Sequence, residues 1–142
     1  MFQACSNVKN LDVSNWDTSS VTNMKAMFNK CKDLSKLDVS RWNTSNVTDM
    51  NFMFCGKDSL NRVYMKIKKL DVSKWDTGKV TNMSHMFALC SKLSHIYASS
   101  KWNTSNVTSS AYMFYNCTSL PNFDSSKIDK TNAFIGGYLE EK

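Results

Sequence analysis

Two histidines and five cysteines are the side chains best suited to nucleophilic or metal chemistry in this 142-residue chain. Four thiols share a register: Cys5, Cys31, Cys90 and Cys117 each lie three residues after a phenylalanine, whereas Cys55 directly follows Phe54. Zinc needs four ligands converging tetrahedrally, at about 2.3 Å for sulfur. Thiols repeated once per structural unit form a column and do not converge. Disulfides need Cα atoms within about 7 Å, closer than successive helices would hold them. The cysteines therefore read as small apolar core side chains. His85 and His95 belong to no recurring arrangement with Ser, Asp or Cys. Catalysis requires convergent groups in a pocket, so the chain is read as non-catalytic, without metal or cofactor.

Binding chemistry is better represented. The stretch Cys55–Lys69 holds Arg62, Tyr64, Lys66, Lys68 and Lys69, and its basic residues far outnumber its one acid, Asp58. Val63, Met65 and Ile67 alternate with Arg62, Tyr64, Lys66 and Lys68, the pattern of an extended strand or hairpin arm with one basic-aromatic face. It supplies most of the formal net charge of +6. Such a face suits an acidic protein, an anionic glycan or nucleic acid. The same lysines would also keep a sheet edge from pairing with another chain. A second contact patch is Ser94-His95-Ile96-Tyr97, where His95 and Tyr97 replace the residues usual at those positions. Elsewhere those positions carry Asn10/Asp12, Lys36/Asp38, Lys69/Asp71 and Asn122/Asp124. The Asp column is read as a solvated, mixed-charge face, since calcium needs at least six or so converging oxygens.

These residues sit in a repeat. Its anchors are Trp16, Trp42, Trp75, Trp102 and, in a weaker copy, Ile128, spaced by 26, 33, 27 and 26 residues. From each Trp to the following Phe28, Phe54, Phe87 or Phe114 is always 12 residues. A fixed period of this size marks stacked units that bury one another's apolar faces. Leu37 and Val39 alternate with Lys36, Asp38 and Ser40, which predicts a short half-buried strand. Asp-Thr-Ser and Asn-Thr-Ser predict turns. Met24, Met27, Phe28, Cys31 and Leu34 fall on one face of a short helix, and Thr22, Thr48, Thr81 and Thr108 stand where a hydroxyl would cap it. The expected unit is strand, turn, short helix. The expected fold is an α/β, leucine-rich-repeat-like solenoid of about five units with a parallel sheet on one face.

The pattern Leu-Asp-Val-Ser-x-Trp-Asp-Thr-Ser-x-Val-Thr-x-Met-x-x-Met-Phe-x-x-Cys resembles the bacterial surface-protein repeat of about 26 residues grouped with BspA-like leucine-rich-repeat proteins. The resemblance runs from Met1 to about Phe123, and the tail Asp129–Lys142 resembles the segment that closes such arrays. It implies a surface lipoprotein or secreted adhesion-type protein that binds partners, with no catalytic residues to carry over.

One domain, 1–142, is therefore expected, with an insertion at 55–69 and a closing segment at 129–142. Met1-Phe2-x-x-Cys5 matches Met27-Phe28-x-x-Cys31, so the chain opens in mid-repeat. That suggests a fragment of a longer protein, or a natural short chain whose first layer is uncapped and open to end-to-end self-association. The expected function is binding of a protein or anionic glycan through the strand face and the basic insertion, with nucleic acid the less favoured partner. The competing readings are a structural stalk fragment and, more remotely, ice or crystal-surface binding by the column Thr18, Thr44, Thr77, Thr104. No run of about 18 apolar residues would span a membrane. The resemblance places the protein at the cell surface or outside the cell; Met1–Cys5 has no signal-peptide character, which leaves the cytoplasm open.

Overall fold

The computed structural model describes residues 5, 7–56 and 65–142. Among them are five short strands: β1 (Asn10–Leu11), β2 (Lys36–Leu37), β3 (Lys69–Asp71), β4 (His95–Ala98) and β5 (Glu140–Glu141). The described residues contain one helical element, the three-residue 3-10 turn Lys130–Asn132. The strands form two separate parallel sheets, β1-β2 and β3-β4-β5. This overturns the expected α/β solenoid: the described residues contain no helical layer and no continuous sheet.

The helical positions form turns, for a backbone reason. Ala26, Phe52, His85 and Tyr112 occupy the left-handed region, with φ of 54°, 56°, 56° and 57°. Lys30, Leu89 and Asn116 do so at 64°, 64° and 58°. A left-handed non-glycine residue costs about 1–2 kcal/mol. What offsets it is a ladder between repeats. The N–H groups of Met24, Ala26, Phe28 and Lys30 donate to the carbonyls of Asp49, Asn51, Met53 and Cys55 at 2.8–2.9 Å. Those of Met50, Phe52, Phe54 and Gly56 donate to Asn82, Ser84, Met86 and Ala88, and those of Met83, His85, Phe87 and Leu89 to Ser109, Ala111, Met113 and Tyr115. An α-helix would turn these N–H groups back onto their own segment. Here they bind the neighbouring repeat, and each such bond stabilises by about 1 kcal/mol. The threonine hydroxyls expected as helix caps also serve the neighbour: those of Thr48, Thr81 and Thr108 donate to the carbonyls of Thr22, Thr48 and Thr81 at 3.2–3.3 Å.

The core lies between this turn ridge and the strands. Phe28, Phe54, Phe87 and Phe114 are fully buried and stack at centroid distances of 5.6, 5.6 and 5.5 Å. Trp16, Trp42 and Trp75 stack at 6.2 and 6.3 Å. The indole Nε1 of Trp42 donates to Val13 and that of Trp75 to Val39. Cys31, Cys90 and Cys117 are buried and reduced. Cys90 Sγ donates to the Phe54 carbonyl and Cys117 Sγ to that of Phe87, each at 2.9 Å. Burial pushes the Cys31 thiol up to about 11, Cys117 to about 12, and Cys90 well above its ordinary value. These thiols are therefore not nucleophiles near neutral pH.

The closing segment departs from the repeat. Tyr138 is buried, meets Phe114 edge-on at 5.1 Å and hydrogen-bonds the Asp124 carbonyl through its hydroxyl. Trp102 Nε1 donates to Ala133 in this segment. β5 then joins β4 in parallel, Tyr97 opposite Glu140 and Ala98 opposite Glu141.

Candidate functional site

The strand face carries a shallow trough. One part, about 380 Å³, is lined by Asn10, Leu11, Asp12, Lys36, Leu37 and Asp38. The next, about 260 Å³, is lined by Leu37, Asp38, Lys69, Asp71, Tyr97 and Lys142. Leu37 and Asp38 belong to both, so the two are continuous. The second part lies over the seam where β2 and β3 fail to pair, and that seam coincides with the 33-residue step.

Strand register brings three of the expected contact residues together. Lys69 lies opposite His95 and Asp71 opposite Tyr97. The His95 and Tyr97 rings are parallel, 5.9 Å apart at 5°. His95 Nδ1 lies 2.7 Å from Glu140 Oε1, so the closing strand engages the imidazole. Lys66 is placed differently. Its Nζ pairs with Asp33 Oδ1 at 2.7 Å and its N–H donates to Leu34, which ties the end of the insertion to an earlier repeat. Met65 and Ile67 are buried and Lys66 and Lys68 exposed, as the alternation required, although 65–68 form no strand. The Lys68 carbonyl accepts from the N–H groups of Ser94 and His95 and from the Ser94 hydroxyl. Arg62 and Tyr64, and most of the expected hairpin arm, lie outside the described residues.

The aspartate column shapes the backbone. Asp12, Asp38, Asp71 and Asp124 each accept, through Oδ1, both the N–H and the hydroxyl of the serine two residues on, at 2.6–3.1 Å. The serine hydroxyl, then its N–H, holds the carboxyls of Asp12, Asp38 and Asp124 below the usual range. Burial acts to raise Asp71, but hydrogen bonds from Lys142 and Ser73 outweigh it and leave it lowered. The same contact raises the Lys142 ammonium. Among the described residues, no group of three or more His, Cys, Asp and Glu is placed to hold a metal.

Sequence reasoning missed Glu140 and Lys142, which reach the strand face from 45 and 71 residues away. The one available signal was the likeness of the tail to an array-closing segment, which gave no docking register. In the threonine column, Thr18, Thr44 and Thr77 are 0–3% exposed and their hydroxyls donate to the carbonyls of Asn43, Asp76 and Asn103, while Thr104 is half-buried.

Fold and site define a class: a module of short strands and stacked turns with an open, charged face. Residues 59–136, more than half of the chain, match the family described as "Mycoplasma protein of unknown function, DUF285", and the chain belongs to that family. No curated protein matches it, and no solved structure does. Among the described residues, no helix is long and apolar enough to cross a membrane.

Proposed function

We propose that this protein is a non-catalytic, surface-type repeat module that binds a macromolecular partner, an acidic protein or an anionic glycan, through its strand face and the basic insertion. The observation that carries this reading is the trough itself. It joins half-buried Leu11 and Leu37 to Lys36, Lys69, Lys142 and Tyr97. Apolar floors with charged rims are how an interface combines burial with orientation. Two of the acids beside it, Asp12 and Asp38, accept hydrogen bonds from their own turns. Asp71 is held by Lys142 as well as by its turn. The net charge of +6 favours an anionic partner. The likeness to BspA-like surface proteins fits an adhesion role at the cell surface or outside the cell.

Heparin serves as the anionic probe. The triple variant Arg62→Glu, Lys68→Glu, Lys69→Glu should elute from immobilised heparin at lower salt than the parent and show a flatter salt dependence. Equal elution of parent and variant, with both folded by circular dichroism, removes the basic insertion from the function.

A second reading is structural: repeats of a longer stalk, with the activity elsewhere. It is favoured by the regular ladder, in which the turn segment of one repeat donates to the carbonyls of the next through three successive repeats. A parent gene encoding no further repeats would remove it.

A further inference from the structure

The turn ridge carries a second concavity, distinct from the strand-face trough. It has a volume of about 400 Å³, within the range of small-molecule sites. Cys55, His85, Ala88, Leu89, Tyr112, Tyr115 and Asn116 line it. Tyr112 and Tyr115 are 51% and 48% exposed and stand perpendicular, with centroids 5.8 Å apart at 89°. They make a two-walled corner. Tyr112 is braced by the His85 ring at 5.1 Å, which itself stacks on Phe52 at 4.4 Å.

One further observation points to the chemistry of a ligand. No Lys, Arg, Asp or Glu lines the pocket among the described residues. The site thus offers aromatic surface and uncharged hydrogen-bonding side chains.

We propose that this corner binds a neutral sugar ring. A pyranose has one face of C–H groups, which stacks on an aromatic ring, and a rim of hydroxyls, which both accept and donate hydrogen bonds. Among the described residues the lining carries no charge, which suits a neutral sugar better than the anionic partners proposed for the strand face. The proposal is independent of the strand-face reading, and either can fail alone.

The variants Tyr112→Ala and Tyr115→Ala isolate the site. The repeat itself already carries alanine at both places: Ala26 is the counterpart of Tyr112, with φ of 54° against 57°, and Ala88 is the counterpart of Tyr115. Both variants should therefore fold, which circular dichroism checks. The probes are the β-linked trisaccharides of glucose and of N-acetylglucosamine, titrated into ¹⁵N-labelled protein. At least one should produce saturable shifts at the amides of Tyr112, Tyr115 and Asn116, unchanged in about 0.5 M NaCl. Each alanine variant should weaken binding about tenfold, and Lys69→Glu should not weaken it. Absence of saturable shifts with both sugars, full binding by the double alanine variant, or loss of binding in salt would overturn the proposal.

Discussion

The turn ridge and the strand side respond differently to the same irregularity. On the ridge, parallel bridges run unbroken from Asn23 to Asp49, Asn82 and Ser109. On the strand side, pairing stops between β2 and β3. Both span the 33-residue step. The difference lies in where the extra residues sit. They follow the ridge segment that ends at Gly56 and precede β3 at Lys69. The ridge segments on either side keep their length, so Met50, Phe52, Phe54 and Gly56 find their usual partners. Gly56 belongs there for steric reasons. A Cβ on it would stand 2.9 Å from the Leu89 carbonyl oxygen and 3.3 Å from the Met65 Cβ, at the point where the chain returns. The strand that follows must re-enter after the insertion, and its pairing with β2 is lost. The regular side of the molecule bears its stability, and the interrupted side carries the trough.

Substitutions should rank accordingly. The largest loss is expected for Phe54→Ala. Phe54 is fully buried, stacks on Phe28 and Phe87 and lies 6.3 Å from Trp75. Truncation should cost about 3–5 kcal/mol in urea-induced unfolding. A loss below about 1 kcal/mol would mean that the ridge column does not hold the repeats together.

An intermediate loss is expected for Thr77→Val. The Thr77 hydroxyl is completely buried, donates to the Asn103 carbonyl at 2.8 Å and accepts from the Asn103 N–H at 2.7 Å. Valine keeps the shape and leaves two backbone groups unsatisfied, which should cost about 1–3 kcal/mol. If the variant is as stable as the parent, these cross-repeat bonds contribute nothing net.

The smallest effect, and the one that best separates turn from helix, is Ala26→Gly. At φ of 54° glycine relieves left-handed strain. Stability should rise by up to about 1 kcal/mol in thermal or chemical unfolding. In a helix the same change would cost about 1 kcal/mol, so the sign of the shift decides between the two backbones.

The repeat made much of this legible. The period placed Trp16, Trp42, Trp75 and Trp102 at equivalent positions, and the first three stack in one column. The alternation at Met65 and Ile67 gave their burial and the exposure of Lys66 and Lys68. The turn segment was misread because its spacing is ambiguous. Met24, Met27, Phe28 and Cys31 occupy one helical face, yet the same spacing suits a chain whose alternate N–H groups point to a neighbouring repeat. Left-handed Phe52 and Tyr112 carry no sequence mark, since neither is glycine or asparagine. The outward strand positions singled out Lys69, His95 and Tyr97, of which Lys69 is exposed and the other two half-buried. The charge pattern did not foresee that Asp33 pairs with Lys66 or that the tail supplies Glu140 and Lys142.

The sequence alone determined which residues share a column, because a period places equivalent positions side by side whatever the local backbone does. It also determined which side chains face inward, since apolar recurrence drives burial. Tertiary structure decided the rest. Whether an N–H turns to its own segment or to the next repeat depends on an acceptor 25 or more residues away, as for Met24 and Asp49. Where the sheet breaks depends on how the chain re-enters after the insertion. What closes the strand face depends on a tail whose contacts span as many as 71 residues. Long-range pairing of this kind leaves no local pattern, and it shapes both the trough and the aromatic corner.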